Sequence, residues 1–258
     1  MYKKNKFIFF FLLITFVIFT SCVTSNINNI SNVPEINNNE SQFSTKEEKP
    51  KRNQDYIIIG IDENLDYLIS NIEYPEFKDL PGLNKYIKNF IVTGWSDFKE
   101  FAKNDWNDIT SLNSNTLPPY EYYVKTSIYN SKDIKSIYFN IYSYKGGAHG
   151  ETVIKTINYD TQNEKYLIIT EASGFTYEEL SDICRKELHN KLISDNKFEI
   201  EQQEALILSE MIDEGTLPIA SNFEAFTINK KEITVYFSQG KVAPNYYGEQ
   251  SVSIPLKK

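Results

Sequence analysis

His149 and Glu151 are the residues with the widest chemical scope in this 258-residue chain. They flank Gly150 in Tyr142-Ser143-Tyr144-Lys145-Gly146-Gly147-Ala148-His149-Gly150-Glu151, where three glycines fall within five positions. An imidazole titrates near neutrality, so with a neighbouring carboxylate it could act as a general acid or base. A zinc site needs three or four ligands, and beyond carboxylates the mature chain adds His189 and Cys184, five positions apart. On a helix that spacing points two side chains in different directions. No His-Glu-x-x-His or paired-cysteine spacing occurs, and no Gly-x-Ser-x-Gly elbow. The glycines lack the Lys-Ser/Thr ending of a phosphate loop. The residues therefore point to no catalytic group, no metal and no cofactor. His149 is expected to hydrogen-bond across the glycine turn, and Cys184 to fill the apolar face of its helix. An envelope hydrolase or metal-dependent enzyme using His149 and Glu151 is the alternative reading.

Aromatic residues offer a second kind of chemistry. The chain holds 18 Tyr and 17 Phe, and Tyr120, Tyr122, Tyr123, Tyr142, Tyr144, Tyr246 and Tyr247 gather at predicted strand ends and loops. Tyrosine joins a rigid apolar ring to a hydrogen-bonding tip, which suits stacking on sugars or anchoring a protein partner. Most should be half-buried sheet residues. Tyr246 and Tyr247, in a Pro-Asn…Gly loop, are the pair expected to be exposed. The candidate binding residues are thus Tyr142, Tyr144, His149, Glu151, Tyr246 and Tyr247.

Strands must position the turn. Ile137, Phe139 and Ile141 alternate with Tyr138, Asn140 and Tyr142, the period of a half-buried strand over 136–144. Gly146 and Gly147 permit positive φ, so the chain can reverse into a second strand over 152–159. Further strands are predicted over 56–61, 67–74, 122–129, 165–170, 225–228, 232–237 and 251–256, with a hairpin at Asn229-Lys230-Lys231. Leu83, Tyr86, Ile87, Phe90, Ile91, Phe98 and Phe101 predict an amphipathic helix with Gly94 as its weak point. Thr176-Tyr177-Glu178-Glu179 is a capping box, with Phe175 and Leu180 placed for a hydrophobic staple. A third helix over about 202–214 stops at Gly215 and Pro218. Strands interrupted by separate helices imply an α+β fold, rich in antiparallel sheet, in two small subdomains.

The N-terminus speaks to compartment. Lys3, Lys4 and Lys6 precede an apolar stretch from Phe7 to Phe19, shorter than the roughly 20 residues a membrane span needs. Thr20-Ser21-Cys22 follows, which reads as a lipobox whose cysteine is acylated, with Phe19 in place of the usual leucine. Residues 1–21 are then a lipoprotein signal peptide. Val23 lacks the acidity that retains lipoproteins at an inner membrane, so outer-membrane sorting is open. With Cys22 lipidated, Cys184 has no disulfide partner. Residues 22–54, rich in Asn, Ser, Glu and Lys, form a tether. Seven basic and four acidic residues precede Asp55, so the head holds 20 basic and 31 acidic residues, a net charge of −11. That balance disfavours nucleic acid and favours basic partners.

Three further stretches stand in order with the glycine turn: Ile72-Glu73-Tyr74-Pro75, the run 237–248 with Val242-Ala243-Pro244, and Ser253-Ile254-Pro255-Leu256. Together they resemble the tandem domains (DUF4163 plus DUF3298) of the RsiV-type anti-sigma factor ectodomain, which binds lysozyme, and of the non-catalytic region of PdaC-type peptidoglycan deacetylases. The resemblance spans nearly all of 55–258 and implies a first α+β domain over 55–145 and a second over 146–258. With only six residues before the apolar core and no domain after Leu256, the chain is expected to be the outer module alone. The expected function is a non-enzymatic envelope lipoprotein that binds a lysozyme-like basic protein or cell-wall glycan.

Overall fold

The computed structural model describes residues 55–112, 118–194 and 201–257. Cys22, the signal peptide and the tether lie outside the described residues. A six-stranded sheet has the order β1 (Tyr56–Asn64), β2 (Leu68–Phe77), β3 (Tyr120–Ser131), β4 (Ile134–Tyr144), β5 (Glu151–Asp160) and β6 (Lys165–Tyr166). Every neighbouring pair is antiparallel except β2 and β3, which run parallel. A parallel pair needs a long crossover, and α1 (Pro81–Leu112) supplies it. Asn84 ties the start of this helix to the end of β2, accepting from the Phe77 amide at 2.8 Å and donating to its carbonyl at 2.6 Å.

The buried stripe of α1 is Leu83, Ile87, Ile91, Trp95, Phe98 and Ala102, at spacings of three and four that keep one face on the sheet. The helix extends beyond the predicted segment, and two expected stripe members lie off it: Tyr86 is 49% exposed and Phe101 40%. Gly94 does not break it. A Cβ there would meet the Tyr122 hydroxyl at 3.2 Å, so the glycine lets helix and sheet approach. Odd-numbered residues of the β4–β5 hairpin, among them Ile137, Phe139, Ile157 and Tyr159, join the core beneath α1.

A second, three-stranded antiparallel sheet comprises β7 (Phe226–Ile228), β8 (Glu232–Phe237) and β9 (Gln250–Pro255). The hairpin at residues 229–231 forms as predicted, with the Asn229 side chain accepting from the Lys231 and Glu232 amides. α3 (Tyr177–His189) and α4 (Gln202–Gly215) complete this core, with Leu180, Cys184, Leu188, Leu208 and Ile212 packed among Phe226, Val235 and Ile254. The capping box is present in full: Thr176 accepts from the Glu179 amide, and Glu179 accepts from the Thr176 amide at 2.8 Å. Cys184 is fully buried, and burial first, with Glu187 second, pushes its thiol up to about 12. The stretch expected as a strand over 165–170 differs. Only β6 is extended, and Ile169–Ser173 is a short helix, α2, closed by Gly174 at φ 70°.

The two sheets meet through side chains. Among the described residues the outer edge of β7 has no strand beside it, and residues of β4 and β5 stand in for one. Asn158 donates to the Phe226 carbonyl at 2.8 Å, Ser136 accepts from the Ile228 amide at 3.0 Å, and Thr156 accepts from the Phe226 amide at 3.1 Å. Ser136 also donates to the Asn158 side-chain oxygen, which closes a buried network. The architecture is α+β and mostly antiparallel, as the sequence implies. β5 and β6 continue the first sheet beyond the division expected at 145/146.

Candidate functional site at the glycine turn

The far end of the β4–β5 hairpin opens into the glycine turn. Ser143 pairs with Glu151 across the strands, and residues 144–150 make the reversal. Gly146 and Gly147 adopt φ of 85° and 95°, values a side chain would strain. Gly150 is needed for a different reason: a Cβ there would run into the Tyr142 ring. That ring stacks on Tyr123 of β3, centroids 5.8 Å apart and planes 12° from parallel, so the base of the turn is fixed. Tyr144 donates to the Gly147 carbonyl at 2.9 Å. The bond across the turn is therefore made by Tyr144. His149 approaches only the carbonyl of its neighbour Gly150, Nδ1 to O at 3.3 Å, and its ring stays exposed.

Facing this turn is the segment between β8 and β9. Residues 238–241 form a tight turn, with the Lys241 amide donating to the Ser238 carbonyl at 3.0 Å. Gly240 has φ 79° and lies against the Asn245 side chain. Gln239 donates to the Asn245 carbonyl at 2.7 Å. Gly215 at the end of α4 presses on the same segment, since a Cβ there would meet the Lys241 carbonyl at 2.6 Å. The loop is thus held at several points before any ligand arrives.

Between turn and loop lies an open groove of about 290 Å³, lined by Ser143, Lys145, His149, Glu151, Gln239 and Asn245 together with Gly146 and Gly150. The structure thus brings His149 and Glu151 to one surface, with no hydrogen bond or ion pair joining them among the described residues. The Lys145 ammonium sits 5.7 Å from the centre of the Phe101 ring on α1. Among the described residues, no three of His, Cys, Asp and Glu gather closely enough to hold a metal ion. Tyr142 packs against Gly150 and Tyr144 braces the turn, and neither is among the residues that line the groove.

Tyr246 and Tyr247 follow Asn245 in a short 3-10 turn (Asn245–Tyr247). Tyr246 is 74% exposed, whereas Tyr247 packs partly against the second core. Both phenols donate to Glu204 of α4, at 2.7 and 3.0 Å, and their rings lie 4.9 Å apart. The hydrogen bond to Glu204 is the main reason the Tyr246 phenol is raised to about 12. Of the aromatics predicted at strand ends, Tyr120 and Tyr122 are buried against α1 and serve the core. Gln239 and Asn245 were not singled out from the sequence. Their signal was the Gly240 between predicted strands, which marks a tight turn but not what it faces.

Comparison with known proteins matches this layout. Residues 61–152 match the family model described as Deacetylase PdaC, and residues 173–257 match that of a protein of unknown function, DUF3298. Over 183 residues the chain is 31% identical to the peptidoglycan-N-acetylmuramic acid deacetylase PdaC of Bacillus subtilis (strain 168), covering 71% of this chain and 36% of that protein. The chain therefore spans about a third of that relative's length. A DUF3298 family protein from Pseudomonas aeruginosa PAO1 shares the fold at a TM-score of 0.52 and 17% identity, covering 83% of this chain and 89% of that one. A second, from Bacteroides fragilis NCTC 9343, gives a TM-score of 0.55 at 19% identity, covering 84% and 92%. The head thus joins a segment that matches the one model to a segment that matches the other, and the groove draws residues 143–151 from the first and residues 239–245 from the second.

Proposed function

We propose that this chain is an envelope lipoprotein, acylated at Cys22, whose head binds cell-wall glycan in the groove without turning it over. The observation that carries this reading is the convergence of two amides, Gln239 and Asn245, with His149 and Glu151 on one open groove beside the exposed Tyr246 ring. Amides and carboxylates donate to or accept from sugar hydroxyls, and a phenol ring offers an apolar face for stacking. Support also comes from the name of the Bacillus relative, a peptidoglycan-N-acetylmuramic acid deacetylase. Among the described residues no helix is long and apolar enough to cross a membrane.

Co-sedimentation of the full-length chain with purified peptidoglycan tests the proposal. The chain should pellet, and the Asn245→Ala/Tyr246→Ala pair should weaken binding by about tenfold, the loss of one or two anchor residues. A chain that stays in the supernatant at low salt removes the glycan reading. A second reading, capture of a lysozyme-like basic protein, draws on the head's net charge of −11. Calorimetry with lysozyme decides it, because charge attraction is strongest at low ionic strength. No heat of binding there eliminates it.

A further inference from the structure

The six-stranded sheet ends on two unlike edges. β6 has only two residues, whereas β1 runs nine residues in unbroken register with β2. The bonds at the two ends of this pairing show which way the β1 backbone points. The Lys78 amide donates to the Asp55 carbonyl at 2.9 Å, and Leu65 and Leu68 exchange both of their bonds. Hydrogen-bonded pairs recur at every second residue of an antiparallel ladder, so the odd-numbered residues of β1 bond to β2. Ile58, Gly60, Asp62 and Asn64 therefore turn their amides and carbonyls outward, to a side where no strand of the described residues lies.

Such edges are ordinarily blunted by a lysine, a proline, a bulge or a covering element. β1 reads Tyr56-Ile57-Ile58-Ile59-Gly60-Ile61-Asp62-Glu63-Asn64, with no lysine or proline, and its pairing shows no bulge. At β7, by contrast, side chains of β4 and β5 bond the edge. Ile59 and Ile61 pack with the core under α1 and Ile57 continues their row, while Ile58, Gly60 and Asp62 alternate to the other face. The hairpin is also strongly acidic. Residues 55–78 hold six carboxylates against one lysine, Lys78. Lys99 and Lys135 reach in from other elements to pair Glu63 and Asp55, and Asp62 accepts from Asn71. Asp62, Asp66, Glu73 and Glu76 enter no ion pair among the described residues.

We infer that β1 is a docking edge for an extended, basic polypeptide segment, which adds to the sheet as a seventh strand. Backbone hydrogen bonds to the outward residues supply affinity. Apolar residues at every second position lie beside Ile57, Ile59 and Ile61, and the lysines or arginines between them meet the unpaired carboxylates. A second copy of this chain is the poorer occupant, because two β1 edges would bring like-charged hairpins together on heads of net charge −11. β2 and β3 separate this edge from β4, so the site stands apart from the groove and does not depend on the glycan reading.

Three capped peptides test this on the full-length chain: one of alternating lysine and valine, its glutamate-for-lysine counterpart, and the lysine peptide N-methylated at every residue, which removes its backbone donors. With the lysine peptide at low salt, the Ile58, Gly60 and Asp62 amides should exchange with deuterium about tenfold more slowly by NMR. Fluorescence anisotropy should show the other two peptides binding about tenfold more weakly. Ile58→Pro removes an outward N–H without touching a bond to β2, and should weaken the lysine peptide to the same degree. The N-methylated peptide puts the same question without altering the chain. The Asn245→Ala/Tyr246→Ala pair should leave lysine-peptide binding unchanged. No binding of the lysine peptide, equal binding of the lysine and glutamate peptides or of the N-methylated peptide and its parent, or protection centred away from β1, overturns the proposal. Sedimentation that shows a dimer dissolved by Ile58→Pro assigns the edge to a second copy and overturns it as well.

Discussion

The β4–β5 hairpin meets the C-terminal half of the head at both of its ends, and the two meetings differ in kind. At the Ser136–Asn158 end, the buried Ser136 and Asn158 and the half-buried Thr156 are partnered with the edge of β7. At the Tyr144–Glu151 end, polar side chains of the same two strands face an open groove. A buried amide without its partner costs more than a hydrogen bond gains, so the first end must stay closed. The second end can leave its donors and acceptors to water, and therefore to a ligand. One hairpin thereby serves as a clamp at one end and, on the proposed reading, as a binding edge at the other.

The comparison breaks most visibly at the clamp. Asn158→Ala should destabilise the head by about 3 kcal/mol, because it orphans the Phe226 carbonyl and one bond of Ser136. Denaturant unfolding measures this, and a loss below about 1 kcal/mol would mean that the seam is wet. Gly147→Ala comes next. At φ 95° a side chain is strained, so about 1 kcal/mol should be lost, with glycan binding reduced far more than stability. If the two fall in proportion, turn and groove are not separable from the clamp.

Alkaline titration sharpens the same contrast. Tyr138 and Tyr236 lie where the two sheets approach, rings 4.8 Å apart. Burial is the first cause that raises both phenols, with Tyr138 pushed up to about 12. Unfolded, they ionise near 10. A group raised on folding contributes stability that is whole below its unfolded pKa and is lost as pH climbs through the folded one. Denaturation midpoints should therefore fall from about pH 10 to pH 12, and Tyr138→Phe should make the fall shallower. An identical slope in the variant would separate Tyr138 from the alkaline loss. The smallest effect on stability belongs to Tyr246→Ala, within about 0.5 kcal/mol for so exposed a side chain. A larger loss would assign Tyr246 to the fold.

Local signals were legible where chemistry between near neighbours decides structure. The alternation over 136–142, the capping box at Thr176 and the turn at Asn229 each form where the residues predict. The segment over 165–170 misled because Tyr166, Leu167, Ile168 and Ile169 make a short apolar run that suits strand or helix alike. Gly174, a left-handed C-terminal glycine, was the overlooked sign of α2. Helix α1 outran its predicted end because Lys103, Asn104 and Asp105 interrupt the apolar pattern, although Trp106 then packs edge-on against Tyr120. The groove's lining was half legible. His149 and Glu151, singled out from the sequence, line it, but Gln239 and Asn245 arrive from about 90 residues away, and no periodicity reports such a meeting.

The most direct test of a recognition groove is amide NMR of the full-length chain titrated with the N-acetylglucosamine tetramer. Shifts should concentrate in residues 143–151 and 239–245, leave Ser136, Asn158 and Phe226 unmoved, and the sugar should be recovered intact. Shifts centred elsewhere, or a tetramer found cleaved or deacetylated, would contradict the account.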